Sequence, residues 1–255
     1  MKNNWLSPLL AGITALLLLA GAFFAGIKAA AVDPTLYAER SRAVVAAQLG
    51  SEEAAQEYLE MDAQTQKELA LELTDYLKSE AGGAFVTSVT RADGVTPIFG
   101  DREVQHLMDV HALVQLAGKL SAGLGAIAGG LAVVCAWVGL NRPNRRRRAL
   151  AGALGGMGVF ALGAAVVRLF TGRMGFDAMF RRLHELLFHN DLWLLNPETD
   201  ILIRMMPLEL FERAADEMLL RTIMPFLLAA GMTIAVYFLV DSMLGRHLNQ
   251  KEEKK

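Results

Sequence analysis

The sequence predicts an all-α integral membrane protein, in which four transmembrane helices carry a mostly helical cap on the extracytoplasmic side. Hydrophobic residues make up 53% of the 255 residues and mean hydropathy is +0.32, so the chain is more apolar than an average soluble domain. Four apolar windows are long enough to cross a hydrocarbon core of about 30 Å. They lie at about 7–32, 113–140, 149–170 and 219–244. We expect residues 1–255 to form a single membrane domain with an outer cap at about 33–112 and 171–218.

The charge distribution predicts the topology. The stretch 141–148 reads NRPNRRRR and holds five arginines and no acid, as is typical of a short cytoplasmic loop. Residues 33–109 hold fifteen acids against six Lys or Arg, a net of −9 by subtraction, which favours export. We therefore expect a multi-pass protein of a cell membrane, with both termini inside and the cap outside. The overall net charge of −2 argues against a nucleic-acid partner.

The first apolar window resembles a secretory signal, and Ala29-Ala30-Ala31 offers small residues for cleavage. An uncleaved anchor is favoured, because the apolar run is longer than that of an ordinary signal peptide. Cleavage would leave the remaining topology unchanged.

Capping residues predict three helices at the start of the cap. Asp33-Pro34, Ser51 and Asp62 are suited to helix N-termini, and they predict helices over 34–49, 52–61 and 63–78. Residues 84–99 change to a β-branched pattern around Asp93-Gly94, which indicates a small hairpin or an irregular loop. Asp101 is expected to cap a helix that continues into the second span.

The most polar and aromatic passage of the chain lies at 176–211, between the third and fourth windows. Phe180, His184 and Phe188 recur at i, i+4 and i+8, so one helical face carries an imidazole between two aromatic rings. That helix should end near 189–191. Trp193 lies among leucines and is typical of an interface anchor.

Two further signals complete the second half of the cap. Asp200 is expected to cap a short helical segment, and Pro207 is suited to the first turn of another helix. The passage is therefore predicted to be a helix, a bend and a helix.

A second polar set precedes the second span at the same membrane surface. His106 and Asp109 are i, i+3 neighbours on a helix, so the carboxylate is placed to fix the imidazole tautomer or to support its charged form. His111 points about 140° away from His106 around that helix. Lys119 and Arg168 lie in the outward parts of their spans, where each is either a functional cation or a side chain that snorkels to the surface.

Several chemistries find little support in the residues. Cys135 is the only cysteine and lies near the inner end of a span, far from the histidines, so it is a poor nucleophile. Ser-hydrolase, P-loop and zinc-protease motifs are absent from the sequence. A metal site is the stronger rival, although its ligand spacing matches no zinc signature. Its ligands would come from His106, Asp109, His111, His184, His189 and Asp191.

Together, the two polar sets resemble the lipoprotein intramolecular transacylase family of small membrane enzymes. The first block is PIFGDREVQHLMDV at 97–110, and the second is the passage at 176–211 with its Asn-Asp-Leu-Trp bend. The resemblance places the essential histidines of the family on His106 and His184. It also makes Asp191, Trp193, Asp200 and Pro207 parts of the structural motif. His111 stands where the family has lysine, and His189 matches no family position.

The resemblance implies that the enzyme moves the sn-2 acyl chain of a diacylglyceryl-cysteine onto the α-amino group of that cysteine. The substrate would be the N-terminus of a diacylated bacterial lipoprotein in membrane lipid, and the product an N-acyl lyso-lipoprotein. No cofactor and no metal are expected. We interpret His184 as base and His106 as its proton partner or oxyanion stabiliser, with Asp109 orienting His106. Asn190, Lys119 and Arg168 are the oxyanion candidates.

Two other classes of function stay open at this point. One is a metal-dependent membrane lipid hydrolase or transferase, which the potential ligands at the outer surface would serve. The other is a non-enzymatic membrane sensor or partner subunit, whose outer cap would bind another protein.

Overall fold

The computed structural model describes residues 5–91, 93–139 and 143–217. Within these ranges the chain is helical and contains no β-strand, which confirms the predicted all-α class there. The named helices are α1 Leu6–Ala31, α2 Ser41–Leu49, α3 Glu52–Leu59, α4 Ala63–Lys78, α5 Asp101–Gly139, α6 Pro143–Met174, α7 Phe176–Leu187 and α8 Ile201–Met205. Residues 208–217 are also helical.

Among the described residues, α1, α5 and α6 are long and apolar enough to cross a membrane. They contain the first three predicted spans. As predicted, α5 starts in the cap and continues without a break into the second span. The predicted span at 219–244 lies outside the described residues, so the count of four spans stays a prediction.

The arginine-rich stretch was predicted to be a loop, and this prediction is wrong for most of its length. Helix α6 begins at Pro143, so the backbone that carries the last four arginines is helical. Proline is favoured in the first turn of a helix, because the amide hydrogen that it lacks would have no partner there. The three residues that connect α5 to α6 lie outside the described part of the chain.

The chain forms two compact units. One contains the described parts of 1–22 and 124–163. In it, α1 and α6 approach so closely that a Cβ atom built on Gly152 would lie 2.0 Å from the carbonyl oxygen of Pro8. A Cβ on Gly156 would lie 2.4 Å from the carbonyl oxygen of Gly12. Glycine at these positions therefore permits backbone contact between two apolar helices.

The other unit comprises 23–123 and 164–218 and holds the main hydrophobic core. The largest buried apolar side chains come from both halves of the predicted cap, so these two halves share one core. They are Leu59, Leu69, Leu73, Leu77, Ile98, Leu107, Ile201, Met205 and Leu210.

The predicted cap helices are confirmed, with one local change. Ser51 Oγ accepts a hydrogen bond from the Ala54 amide at 3.1 Å, and Asp62 Oδ1 accepts one from the Thr65 amide at 2.7 Å. Helix α4 has the predicted bounds. The predicted helix over 34–49 contains a π-helical turn at Leu36–Arg40.

The passage at 84–99 is an irregular hairpin. Thr90 and Pro97 form an isolated antiparallel bridge, and the Arg91 amide donates to the Thr96 carbonyl at 2.8 Å. On the other side of the bridge the Ile98 amide donates to the Val89 carbonyl at 3.2 Å, so the described part of the hairpin is paired by this single bridge and its two flanking hydrogen bonds.

Candidate functional site

The structure brings His106 and His184 together. His106 lies on α5 and His184 lies in the last turn of α7, and their ring centroids are 6.3 Å apart. Both residues belong to the unit that holds the cap core. The segment before the second predicted span and the segment after the third therefore meet at these two imidazoles.

Aromatic rings surround His184. The ring centroid of Phe180 lies 4.2 Å away and that of Phe188 5.4 Å away, as the i, i+4, i+8 spacing predicts. Phe188 lies one residue beyond α7 in an extended conformation, and its ring also contacts His106 edge to face at 5.1 Å. Trp193 adds a third ring at 5.1 Å, a role that its position among leucines did not reveal.

The hydrogen bond of His184 assigns its tautomer. Nδ1 lies 2.8 Å from the carbonyl oxygen of Phe180. A carbonyl oxygen only accepts hydrogen bonds, so the neutral ring carries its proton on Nδ1 and leaves Nε2 as the basic nitrogen. Burial lowers the pKa of His184, and the bond to Phe180 offsets part of that effect. The ring is therefore a neutral base at neutral pH.

This lowered pKa predicts the acid limb of the pH–rate profile. Protonation of His184 removes the base, and its pKa lies below the ordinary histidine value of about 6.5. After correction for protonation of the substrate amine, whose ordinary pKa is about 7.7–8.0, we expect the rate to stay constant as pH falls through about 6.5 and to decline only in more acidic solution. Initial rates with purified protein in detergent measure this limb. A midpoint above the ordinary value would contradict a buried neutral base.

His106 is more deeply buried than His184. It is 8% exposed, and its Nδ1 atom is buried without a hydrogen-bond partner in the described part of the chain. Buried polar atoms in proteins are nearly always paired. An unpaired nitrogen beside a second imidazole is therefore available to a group that a substrate brings.

The prediction that Asp109 fixes the His106 tautomer by a hydrogen bond is wrong, but its charge acts on that ring as predicted. Burial and the neighbouring His184 lower the pKa of His106 to about 4, and the Asp109 carboxylate offsets part of this effect. Asp109 Oδ2 instead accepts from Asn190 Nδ2 at 2.9 Å.

The side-chain oxygen of Asn190 accepts from the Leu192 amide at 3.1 Å, and the backbone carbonyl oxygen of Asn190 accepts from Trp193 Nε1 at 3.1 Å. Asn190 therefore stabilises the bend that carries Trp193 and joins it to α5. Both the nitrogen and the oxygen of its side-chain amide form hydrogen bonds.

The two basic candidates are not placed alike. Lys119 follows His106 by thirteen residues on the same helix. At about 1.5 Å per residue it lies about 20 Å further along α5, so its predicted oxyanion role at this site is wrong. Arg168 forms an ion pair with Asp216 at 3.6 Å.

The motif residues around the bend are held by polar contacts. Arg102 donates to the carbonyl oxygen of Asp191 and lies 3.7 Å from its carboxylate. Asp200 is at the N-cap position of α8 but makes no side-chain cap bond, so its predicted capping is wrong. Its carboxylate accepts from the Asn196 amide at 2.7 Å instead. Pro207 immediately precedes the helix at 208–217, close to the predicted start.

Glu103 is the residue that sequence reasoning missed. It is 1% exposed, and its two carboxylate oxygens accept from the Gly100 and Leu202 amides, each at 2.7 Å. Helix α5 begins at Asp101, so Gly100 rather than Asp101 is the capping residue. A glutamate three residues after a capping residue is the capping-box signal that would have drawn attention to Glu103.

Two further histidines in the described part of the chain, His111 and His189, lie apart from the pair. His111 Nε2 lies 2.9 Å from the Ser79 carbonyl oxygen, and its ring packs on Tyr76 at 4.8 Å. His189 is exposed at the bend. Over 5–91, 93–139 and 143–217, no group of three or more His, Cys, Asp or Glu side chains is arranged to hold a metal ion.

Comparisons with known proteins give consistent results. The family model for lipoprotein intramolecular transacylase Lit matches residues 13–211. The in meso structure of membrane integral Lit from Bacillus cereus matches with a TM-score of 0.67 and 19% identity, covering 93% of this chain and 98% of that one. A histidine-to-arginine variant of that protein matches with a TM-score of 0.59 and 19% identity, covering 92% of each chain. No curated protein sequence gives a significant match.

Proposed function

This chain belongs to the lipoprotein intramolecular transacylase family, and we propose that its two buried histidines transfer the sn-2 acyl chain of a lipoprotein to its terminal amine. The chain is a membrane-integral acyltransferase that acts on lipoproteins. The proposed substrate is the diacylglyceryl-cysteine at the N-terminus of a diacylated lipoprotein. The proposed product keeps one acyl chain on glycerol and carries the other as an amide. The single observation that carries this assignment is the His106–His184 pair with a free Nε2 on His184.

The reaction needs one nucleophilic attack and the net movement of one proton from nitrogen to oxygen. The cysteine amine attacks the sn-2 ester carbonyl while His184 Nε2 removes an amine proton. His184 passes this proton to His106. The tetrahedral intermediate then collapses, the bond between carbonyl carbon and glycerol oxygen breaks, and His106 gives the proton to that oxygen, so both imidazoles end as they began. The net change moves an acyl group from oxygen to nitrogen and a proton from nitrogen to oxygen.

Positioning supplies much of the proposed acceleration. Amine and ester belong to one molecule, and good intramolecular orientation is worth about 7–11 kcal/mol. The rings of Phe180, Phe188 and Trp193 contact His184 and form an apolar wall beside it. Such a wall favours attack by the amine over hydrolysis of the ester. No covalent enzyme intermediate is required.

A crossover experiment tests the proposed function. Purified protein receives two diacylated lipopeptides together, each with its own peptide and its own isotope-labelled sn-2 chain. We expect each peptide to carry only its own labelled chain on nitrogen, as mass spectrometry will show. Exchange of chains between peptides would show an intermolecular reaction. Release of free fatty acid without amide would show a hydrolase.

The metal-dependent alternative makes a separate prediction. We expect purified protein to retain its transacylase rate after exhaustive chelation, because proton transfer is assigned to the two imidazoles. Rates before and after chelation, with metal content by mass spectrometry, measure this. Activity that returns only with added zinc would establish the metal-dependent reading.

The proposed topology places the site at the extracytoplasmic face with both termini inside. In a protein with Cys135 replaced by serine, a cysteine at Glu57 should react with an impermeant maleimide in intact cells. Cysteines at Arg146 and Gln250 should react only after lysis. A label at Arg146 in intact cells would overturn the arrangement. The basis for this prediction is the run of arginines in the first turns of α6 and the acid-rich segment before α5.

A further inference from the structure

We propose that Glu103 is a positioning residue for the transacylation, because it holds the segment that follows His184 against α5 beside His106. The inference rests on the proposed function and extends it to a residue that does not touch the reacting groups. Glu103 and His106 are i, i+3 neighbours on α5 and therefore lie on one side of that helix.

The carboxylate of Glu103 caps two chain segments that are distant in sequence. Its Oε2 atom accepts from the Gly100 amide at the start of α5, and its Oε1 atom accepts from the Leu202 amide in the first turn of α8. The first amides of a helix have no partner within that helix. The local residue in the capping position, Asp200, does not supply one. Glu103, which lies on α5, therefore caps the N-terminus of α8.

Two other contacts tie the same segment to α5, and both are more exposed. Arg102 is 43% exposed in its side chain and Asp191 is 77% exposed. The bond between Asp109 and Asn190 is also exposed. Exposed ion pairs contribute little to stability, whereas a buried carboxylate bonded to two amides forms strong, directional contacts. Glu103 is 1% exposed and is therefore the principal anchor of the three.

The anchored segment carries part of the wall around the base. Phe188 and Trp193 both contact the His184 ring, and both lie between α7 and α8. Loss of the Glu103 carboxylate would leave two buried amides unpaired and release α8 from α5. A displacement of about 1 Å at a reacting group can cost about 10²-fold in rate. The expected defect is therefore in rate as well as in stability.

The test uses Trp193 as its own reporter. The chain has three tryptophans, and replacing Trp5 and Trp137 by phenylalanine leaves Trp193 alone. In that background, Glu103→Ala should lower the transacylation rate per folded molecule by about 10²-fold and shift Trp193 emission to longer wavelength. Glu103→Gln keeps one acceptor oxygen and should lose about tenfold, with a smaller shift in the same direction. Lipopeptide mass spectrometry measures the rate.

Gln115→Leu is the matched control. Gln115 lies on α5 twelve residues after Glu103, and its side-chain amide donates to the carbonyl oxygens of Leu77 and Ser79 at 2.8 and 2.9 Å. Neither partner lies in the anchored segment. This variant should lower the thermal midpoint but keep the rate per folded molecule and the Trp193 emission unchanged.

The outcomes separate the two proposals. A Glu103→Ala protein with a wild-type rate, or with a lost rate and unchanged Trp193 emission, would overturn the positioning role. If Glu103→Ala does not accumulate, Glu103→Gln decides by the same two readouts. If the variant that keeps Trp193 as its single tryptophan and retains Glu103 is folded but forms no N-acyl product, the proposed function is overturned instead.

Discussion

His184→Ala should abolish formation of the N-acyl lyso product while the protein still inserts and accumulates. Nε2 of His184 is the proposed base, and general acid–base assistance is typically worth about 10²–10⁴-fold. The ring is only half-buried, and its one recorded hydrogen bond goes to the Phe180 carbonyl of the preceding turn. Its loss should therefore cost little stability. Mass spectrometry of lipoprotein N-terminal peptides measures the product.

The matched control is His189→Ala, which removes an exposed imidazole five residues further along the chain. This variant should retain the wild-type rate. If the His184→Ala protein is stably expressed and yields near wild-type lyso-lipoprotein, His184 has no part in the mechanism. The non-enzymatic reading of the site would then be reopened.

His106→Ala should give a loss of the same order, and the double variant should be little worse than either single one. Both imidazoles are assigned to the same acyl transfer, so removing the second adds little once the first is gone. Initial rates of the three purified variants measure the coupling. Losses that multiply across the double variant would show that the two histidines act independently.

The control for His106 is His111→Ala on the same helix. His111 is 6% exposed and bonds to the Ser79 carbonyl, so its loss should lower the thermal midpoint. The rate per folded molecule should be much less affected, because His111 lies apart from the pair. If His106→Ala and His111→Ala lose activity to the same extent, the defect comes from removing a buried imidazole and not from the position of His106 at the site.

The helices and the convergence of the two histidines were predictable from the sequence, because both depend on local signals. Apolar windows locate α1, α5 and α6, and the caps at Ser51 and Asp62 locate α3 and α4. Charge asymmetry and span order place His106 and His184 on the same predicted side of the membrane. Their contact then needs only that the two cap segments pack together.

The polar partners of the site were not predictable from local spacing. Asp109 and Asn190 are 81 residues apart in sequence, and Glu103 and Leu202 are 99 apart. The i, i+3 spacing of His106 and Asp109 permits a contact but does not decide between the imidazole and a competing amide. Which of the two groups bonds to Asp109 depends on where the bend at 188–200 packs, and sequence periodicity does not predict that packing.

Lys119 failed as a candidate for a related reason. Its place in the outward half of a predicted span suggested the depth of the histidines. Because α5 is one continuous helix from Asp101, the distance along it separates Lys119 from His106 by about 20 Å.

The most direct test of the central claim compares one lipoprotein from cells that lack this protein, express it, or express the His106→Ala, His184→Ala double variant. Mass spectrometry of the N-terminal lipopeptide locates each acyl chain. We expect an amide-linked chain and a single glycerol ester only where the intact protein is expressed, with an unmodified diacylglyceryl-cysteine in the other two cell types. The same N-terminal lipid structure in all three cell types would contradict this expectation.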